Sequence, residues 1–129
     1  MLVAEDEPMV RAMAVRALEQ AGYTVLAVES GEAVLRLFEE QSERVRLVLT
    51  DVAMAGLDGL ELGRRLAEIQ PGLPVLYMSG HPVDETARRG LHRGHEFIAK
   101  PFAPAVLAEA VRAMLDSAGR VATPAPPAP

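Results

Sequence analysis

The chain has 129 residues, 50% hydrophobic and 24% charged, which fits one globular domain; the absence of cysteine excludes disulfide staples, thiolate metal sites and cysteine nucleophiles. With 13 Lys and Arg against 18 Asp and Glu, the formal charge is −5, so no direct contact with nucleic acid is expected. No apolar run approaches the roughly 20 residues of a membrane span and no charged-then-apolar leader opens the chain, so the expected setting is cytoplasmic, without direct membrane contact.

Short runs rich in Val and Leu alternate with longer segments of helical spacing. Residues 2–4 read as the first strand. A helix over 9–21 follows, with Val10, Met13, Ala14, Ala17 and Leu18 recurring at helical intervals. A strand at 24–28 precedes a helix over 31–41, where Val34, Leu35 and Phe38 share a face and Ser30 offers an N-cap. A strand at 47–50 leads to a helix over 57–70 with Leu60, Leu62, Leu66 and Ile69 on its apolar positions and Asp58 as its cap. After a strand at 74–78 comes the weakest helix, over 82–93, short, polar and punctuated by Gly90 and Gly94. A strand at 96–99 and a helix over 103–117, bearing Val106, Leu107, Val111, Met114 and Leu115, complete the pattern. The stretch 121–129, VATPAPPAP, has no apolar periodicity. We therefore place the globular domain at 1–118 and a Pro/Ala-rich disordered tail or linker stump at 119–129.

The five β-α repeats imply an α/β domain, with a doubly wound parallel sheet of flavodoxin-like order 2-1-3-4-5. The strand runs are continuous rather than alternating, as suits strands buried on both faces. Aromatics make up only 4%, so the core should be aliphatic, with methionine as filler.

In such sheets ligands bind beyond the carboxyl ends of the strands. The residues found there are Glu5-Asp6-Glu7, Asp51, Ser79-Gly80 and Lys100-Pro101. Carboxylates crowded together repel unless a cation intervenes, and Mg²⁺ is the usual partner of a few carboxylates plus water. A carboxylate beside such an ion is a plausible nucleophile toward phosphorus, and phosphoryl transfer needs positive charge around the equatorial oxygens. Lys100 and the Ser79 hydroxyl would complete that set.

Four strings in this order, VAEDEPMVR, LVLTDVAMAGLDGLEL, LYMSGH and FIAKPF, make the chain resemble the receiver domain of two-component response regulators over about residues 1–118. The middle and fourth-strand strings are most similar to receivers attached to hybrid sensor histidine kinases. The resemblance implies that Asp51 accepts a phosphoryl group from a kinase phosphohistidine, switching the domain's conformation in a phosphorelay. Asp6 would hold Mg²⁺ directly, Glu5 directly or through water, and the Ala53 carbonyl would join them. Lys100 would pair with the phosphoryl oxygens, Ser79 would be the switch hydroxyl and Phe97 the switch aromatic, with Pro101 following a cis peptide. The partners implied are the dimerisation and phosphotransfer helices of a histidine kinase, and a histidine phosphotransfer protein. Catalysis would be limited to the domain's own phosphorylation and slow autodephosphorylation. Three departures stand out. Ala55 occupies a position where many receivers carry proline, so its loop is expected to be more mobile. The run from His81 to Gly94 is Gly- and Arg-rich where receivers have a fourth helix. Phe97 lacks a hydroxyl, so its rotamer would respond to packing alone.

Each residue also has a plainer reading. The acidic triplet could cap the first helix, Asp51 could be a turn residue, Ser79 could close a turn, Lys100 could be a surface lysine and Phe97 a static core residue. His81, His92 and His95 are expected on the surface. Two other functions use the same residues: a Mg²⁺-dependent aspartyl-phosphate phosphohydrolase acting on external substrates, and a receiver-like interaction domain without phosphorylation.

Overall fold

The computed structural model describes residues 1–80 and 90–122. Its elements are β1 (Leu2–Ala4), α1 (Pro8–Gln20), β2 (Leu26–Val28), α2 (Gly31–Gln41), a 3-10 turn (Ser42–Arg44), β3 (Val48–Asp51), α3 (Gly59–Ile69), β4 (Val75–Ser79), β5 (His95–Ala99) and α4 (Pro104–Ala122). The five strands pair in parallel in the order β2-β1-β3-β4-β5, as the alternating pattern predicted. Among the described residues, no helix is long and apolar enough to cross a membrane.

Successive strand side chains point to opposite faces, and this divides the core in two. Leu2, Ala4, Val48, Val75 and Tyr77 face α2 and α3, where they meet Val34, Phe38, Leu62 and Leu66. Val3, Leu49, Leu76, Met78 and Ile98 face the other layer, where Ala14, Leu18, Leu107 and Val111 lie. Burial on both faces holds for β1, β3 and β4, every residue of which is buried. It does not hold for β2, where Leu26 and Ala27 are exposed, nor for β5, where Glu96 and Ala99 are. Those two strands form the sheet edges and have one neighbour each.

Local chemistry sets the helix starts. The Ser30 hydroxyl accepts the Ala33 N–H at 3.2 Å and the Asp58 carboxylate accepts that of Glu61 at 2.8 Å, so both expected caps are present. The apolar faces are narrower than their spacing suggested. Met13 of α1, Leu60 and Ile69 of α3 and Val106 of α4 stay exposed, as does Met9, so methionine is core filler only in part.

Three further expectations need correction. Helix α4 continues through Ala122, past the boundary placed at residue 118, because Val121 and Ala122 extend the helix before the prolines begin; residues 123–129 of the expected tail lie outside the described residues. Residues 81–89 of the expected fourth helix also lie outside them, and residues 90–94 form turn and coil, with Gly94 at φ +85°. His95 is not a surface residue: it is 7% exposed, and its Nδ1 lies 2.7 Å from the Tyr77 hydroxyl. Burial, with the charge of nearby His92, pushes the imidazole down to about 4. The ring is therefore neutral at ordinary pH and shares one hydrogen bond with the phenol, the tautomer setting which of the two donates. Tyr77 is 1% exposed, and burial pushes its hydroxyl up to about 12.

The Tyr77 ring needs a glycine opposite it. A Cβ at Gly63 of α3 would collide with the Tyr77 hydroxyl. Gly63→Ala should therefore lower stability by about 1–3 kcal/mol through overpacking, although alanine improves helix propensity by up to about 1 kcal/mol. Adding Tyr77→Phe, which removes the clashing oxygen, should recover part of the loss. Urea unfolding midpoints at constant slope measure both effects. A Gly63→Ala protein as stable as the wild type would show that the ring swings clear without penalty.

Candidate functional site

Parallel register brings the polar groups to one edge. Ala4 pairs with Thr50, so Glu5 and Asp51 leave adjacent strands at the same height. Asp51 pairs with Met78 and Ser79 with Ala99, which places Ser79 and Lys100 at that same rim. Asp51 is the last residue of β3 and Ser79 the last of β4, each one residue further into the sheet than the apolar runs suggested.

The charged groups meet there. Lys100 Nζ donates to Asp51 Oδ2 at 3.0 Å and stands 3.5 Å from Glu5 Oε2. Asp51 Oδ1 accepts the Ala53 N–H at 3.3 Å. Glu5 is fully buried; its Oε1 accepts the Glu7 N–H at 3.1 Å, and the Arg11 guanidinium holds its main-chain carbonyl at 2.8 Å. Asp6 is exposed, and its Oδ2 accepts the Ala55 N–H at 3.4 Å. Carboxylate oxygens of Glu5, Asp6 and Asp51 all lie within 4.8 Å of one another.

Burial pushes the Glu5 carboxyl up to about 7; the Glu7 amide and Lys100 oppose this and the charge of Asp51 reinforces it. For Lys100, burial acts downward, but its hydrogen bond to Asp51 and the charges of Glu5 and Asp51 outweigh it and raise the ammonium above its usual value. One lysine thus serves two acids. Glu5 Oε2 remains a buried oxygen with no hydrogen-bond partner. Three clustered oxygen donors, one buried and short of a partner, fit a hard divalent cation.

Ser79 is buried at the end of β4, and its carbonyl accepts the Lys100 N–H at 2.8 Å. Phe97 lies within the sheet beside Tyr77, with ring centroids 5.3 Å apart, rather than among the acids. The Lys100-Pro101 peptide is cis, as expected.

The loop from β3 to α3 carries Ala53 and Ala55, and alternate amides along it are held. Ala53 donates to Asp51, Ala55 to Asp6, Leu57 to Glu32 Oε1 at 2.9 Å, and Gly59 to the Val52 carbonyl at 2.9 Å. A Cβ at Gly59 would strike the Asp51 carbonyl, so glycine is needed to bring α3 this close to the end of β3. Two residues at the site were missed in the sequence. Arg11 reads there as an ordinary polar position on α1, and Glu32 as a first-turn acid on α2. Neither carries a local signal, because each acts on a residue that only folding brings near.

Comparison with known proteins bears on this arrangement. The family model for the response regulator receiver domain matches residues 1–112. The sensor kinase CckA of Brucella abortus (strain 2308) is 38% identical over 116 residues, which are 89% of this chain and 12% of that kinase. The response regulator receiver protein CpdR of the same organism is 35% identical over 118 residues, 91% of this chain and 97% of CpdR. The chain therefore spans a small part of one relative and nearly all of the other. A crystal structure of a response regulator receiver domain protein from Clostridium thermocellum superposes with a TM-score of 0.84 at 27% identity, covering 93% of this chain and 96% of that one.

In cation-free protein the folded state holds a proton on Glu5 up to about pH 7, whereas the ordinary carboxyl loses it near 4.5. Between those values the native state binds more protons than the unfolded one, so this contribution to stability is present below 4.5 and lost as pH rises through 7. In chelator, the stability of the wild type should fall relative to Glu5→Gln as pH rises from 4.5 to about 7, and level off above that. Urea unfolding across that range checks this. A difference independent of pH would mean that Glu5 is already ionised at the low end.

Proposed function

The chain belongs to the response regulator receiver family, and on that premise we propose that Asp51 accepts a phosphoryl group from the phosphohistidine of a histidine kinase. The observation that carries the assignment is the setting of Asp51: one oxygen bonded to Lys100 and the other to the Ala53 amide, with Glu5 and Asp6 alongside. This is a carboxylate fixed in direction and held beside both a cation site and an ammonium.

Glu5, Asp6, Asp51 and the Ala53 carbonyl would hold Mg²⁺. When bound, that ion supplies positive charge to the phosphoryl oxygens and relieves the repulsion among the acids. The chain's own residues do the rest. An Asp51 oxygen contributes an electron pair to phosphorus; the P–N bond to the donor imidazole breaks, and its pair leaves with the ring, which takes up a proton. Lys100 neutralises charge on the transferred group from the Asp51 side. The product is an acyl phosphate on Asp51, and its hydrolysis returns the free carboxylate.

The switch follows from the same rim. New negative charge at Asp51 attracts the Ser79 hydroxyl, and Phe97 repacks against Tyr77 as the end of β4 adjusts. This shifts the population between two packings. For kinase docking we place the kinase's phosphotransfer helices on α1, where Met9 is 74% exposed and Met13 is 53% exposed. Likeness to both CckA and CpdR supports phosphorelay with a kinase or phosphotransfer partner, whether the receiver sits within a longer kinase or stands alone. We place that exchange in the cytoplasm.

Acetyl phosphate with Mg²⁺ should convert the wild type to a hydroxylamine-labile phosphoprotein. Asp51→Asn should lose essentially all of this while keeping its fold by circular dichroism. Undiminished labelling of Asp51→Asn would rule out the acceptor assignment. Sustained multiple turnover on simple phosphate monoesters would instead favour a phosphohydrolase.

A further inference from the structure

Resting on the acceptor reading above, we infer that Glu32 is a positioning residue for the acceptor centre: from the first turn of α2 it fixes the loop that runs from Asp51 to α3. Glu32 lies outside the acidic cluster, and its carboxylate spans a sequence gap of 25 residues to take the Leu57 N–H at 2.9 Å. A helix-start acid that served only the dipole would not need that reach.

The approach is sterically prepared on both sides. Gly31, just before Glu32, is buried, and a Cβ there would stand 3.0 Å from the Leu57 carbonyl oxygen. Gly56, just before Leu57, has φ +77°, and a Cβ there would come within 3.1 Å of Glu32 Oε2. Two glycines thus let the start of α2 and the acceptor loop meet backbone to backbone, and Gly56 also adopts a conformation that side-chain-bearing residues rarely take.

The tether matters because of what holds the rest of the loop. Of the carboxylates that take its amides, Asp51 and Asp6 belong to the phosphoacceptor and cation cluster. When those acids turn to a cation or a phosphoryl group, their bonds to Ala53 and Ala55 are open to competition. The Glu32 bond to Leu57 is not. It holds the loop, and with it the Ala53 carbonyl proposed as a ligand, while the other two carboxylates change partners. Glu32 touches no reacting atom.

Glu32→Ala and Glu32→Gln test this, since glutamine keeps an oxygen acceptor and alanine does not. Mg²⁺ alone is titrated into each protein and followed by amide resonances at the site. Glu32→Ala should bind roughly fivefold more weakly, the effect of losing one exposed hydrogen bond, and Glu32→Gln should stay near wild type. Hydrogen exchange at the Leu57 amide should quicken in the alanine variant and remain slow in the glutamine variant. Unchanged Mg²⁺ affinity in Glu32→Ala, or an equal loss in both variants, would overturn the tether, the second outcome assigning the effect to charge at a distance. If the wild type itself showed no Mg²⁺ response around Asp51, the acceptor reading would fall and this inference with it. Wild-type binding unaffected in Glu32→Ala would remove only the inference.

Discussion

The structure depends on one lysine being shared between two acids. Lys100 Nζ sits 3.0 Å from Asp51 and 3.5 Å from Glu5, and no other ammonium or guanidinium among the described residues pairs with either carboxylate. Acids this close, one of them fully buried, repel each other, and a single cation answers only part of that repulsion. Burial, reinforced by the charge of Asp51, raises the proton affinity of Glu5, and one of its oxygens is left without a hydrogen-bond partner. Such a site is poised for incoming positive charge, and for a ligand that carries it.

The fold makes this arrangement possible without unfolding itself. All five strands are parallel, so their carboxyl ends lie on one side, and the central three are buried on both faces. Polar groups placed one residue beyond, or at the last residue of, these strands sit on a rigid apolar support that holds them near one another.

The same sheet connects the site to its far end. Tyr77 and Phe97 share a face of β4 and β5, and Tyr77 is in turn bonded to buried His95 at the start of β5 and fitted against Gly63 of α3. Rearrangement at Ser79 and Phe97 would therefore meet an aromatic neighbour anchored at its hydroxyl. At the other side of the site, amides 53, 55, 57 and 59 of the loop from β3 to α3 each have an acceptor.

Much of this was legible in the chain itself. Apolar periodicity distinguishes strands from helices by local geometry, and their alternation leaves few topologies, so the sheet order followed from sequence. Asp51 and Lys100 could be read because each immediately follows an apolar run, and strand ends in such a sheet share an edge. The caps at Ser30 and Asp58 were legible for the same reason: they act within a turn of themselves. What depended on the tertiary structure was everything carried by distant residues. Burial of His95 needed Tyr77, the exposure of β2 needed the sheet to end there, and the reach of Glu32 to Leu57 needed two glycines from different segments to meet. Local periodicity records what a residue does to its neighbours along the chain, whereas contacts between segments exist only once the core has brought them together.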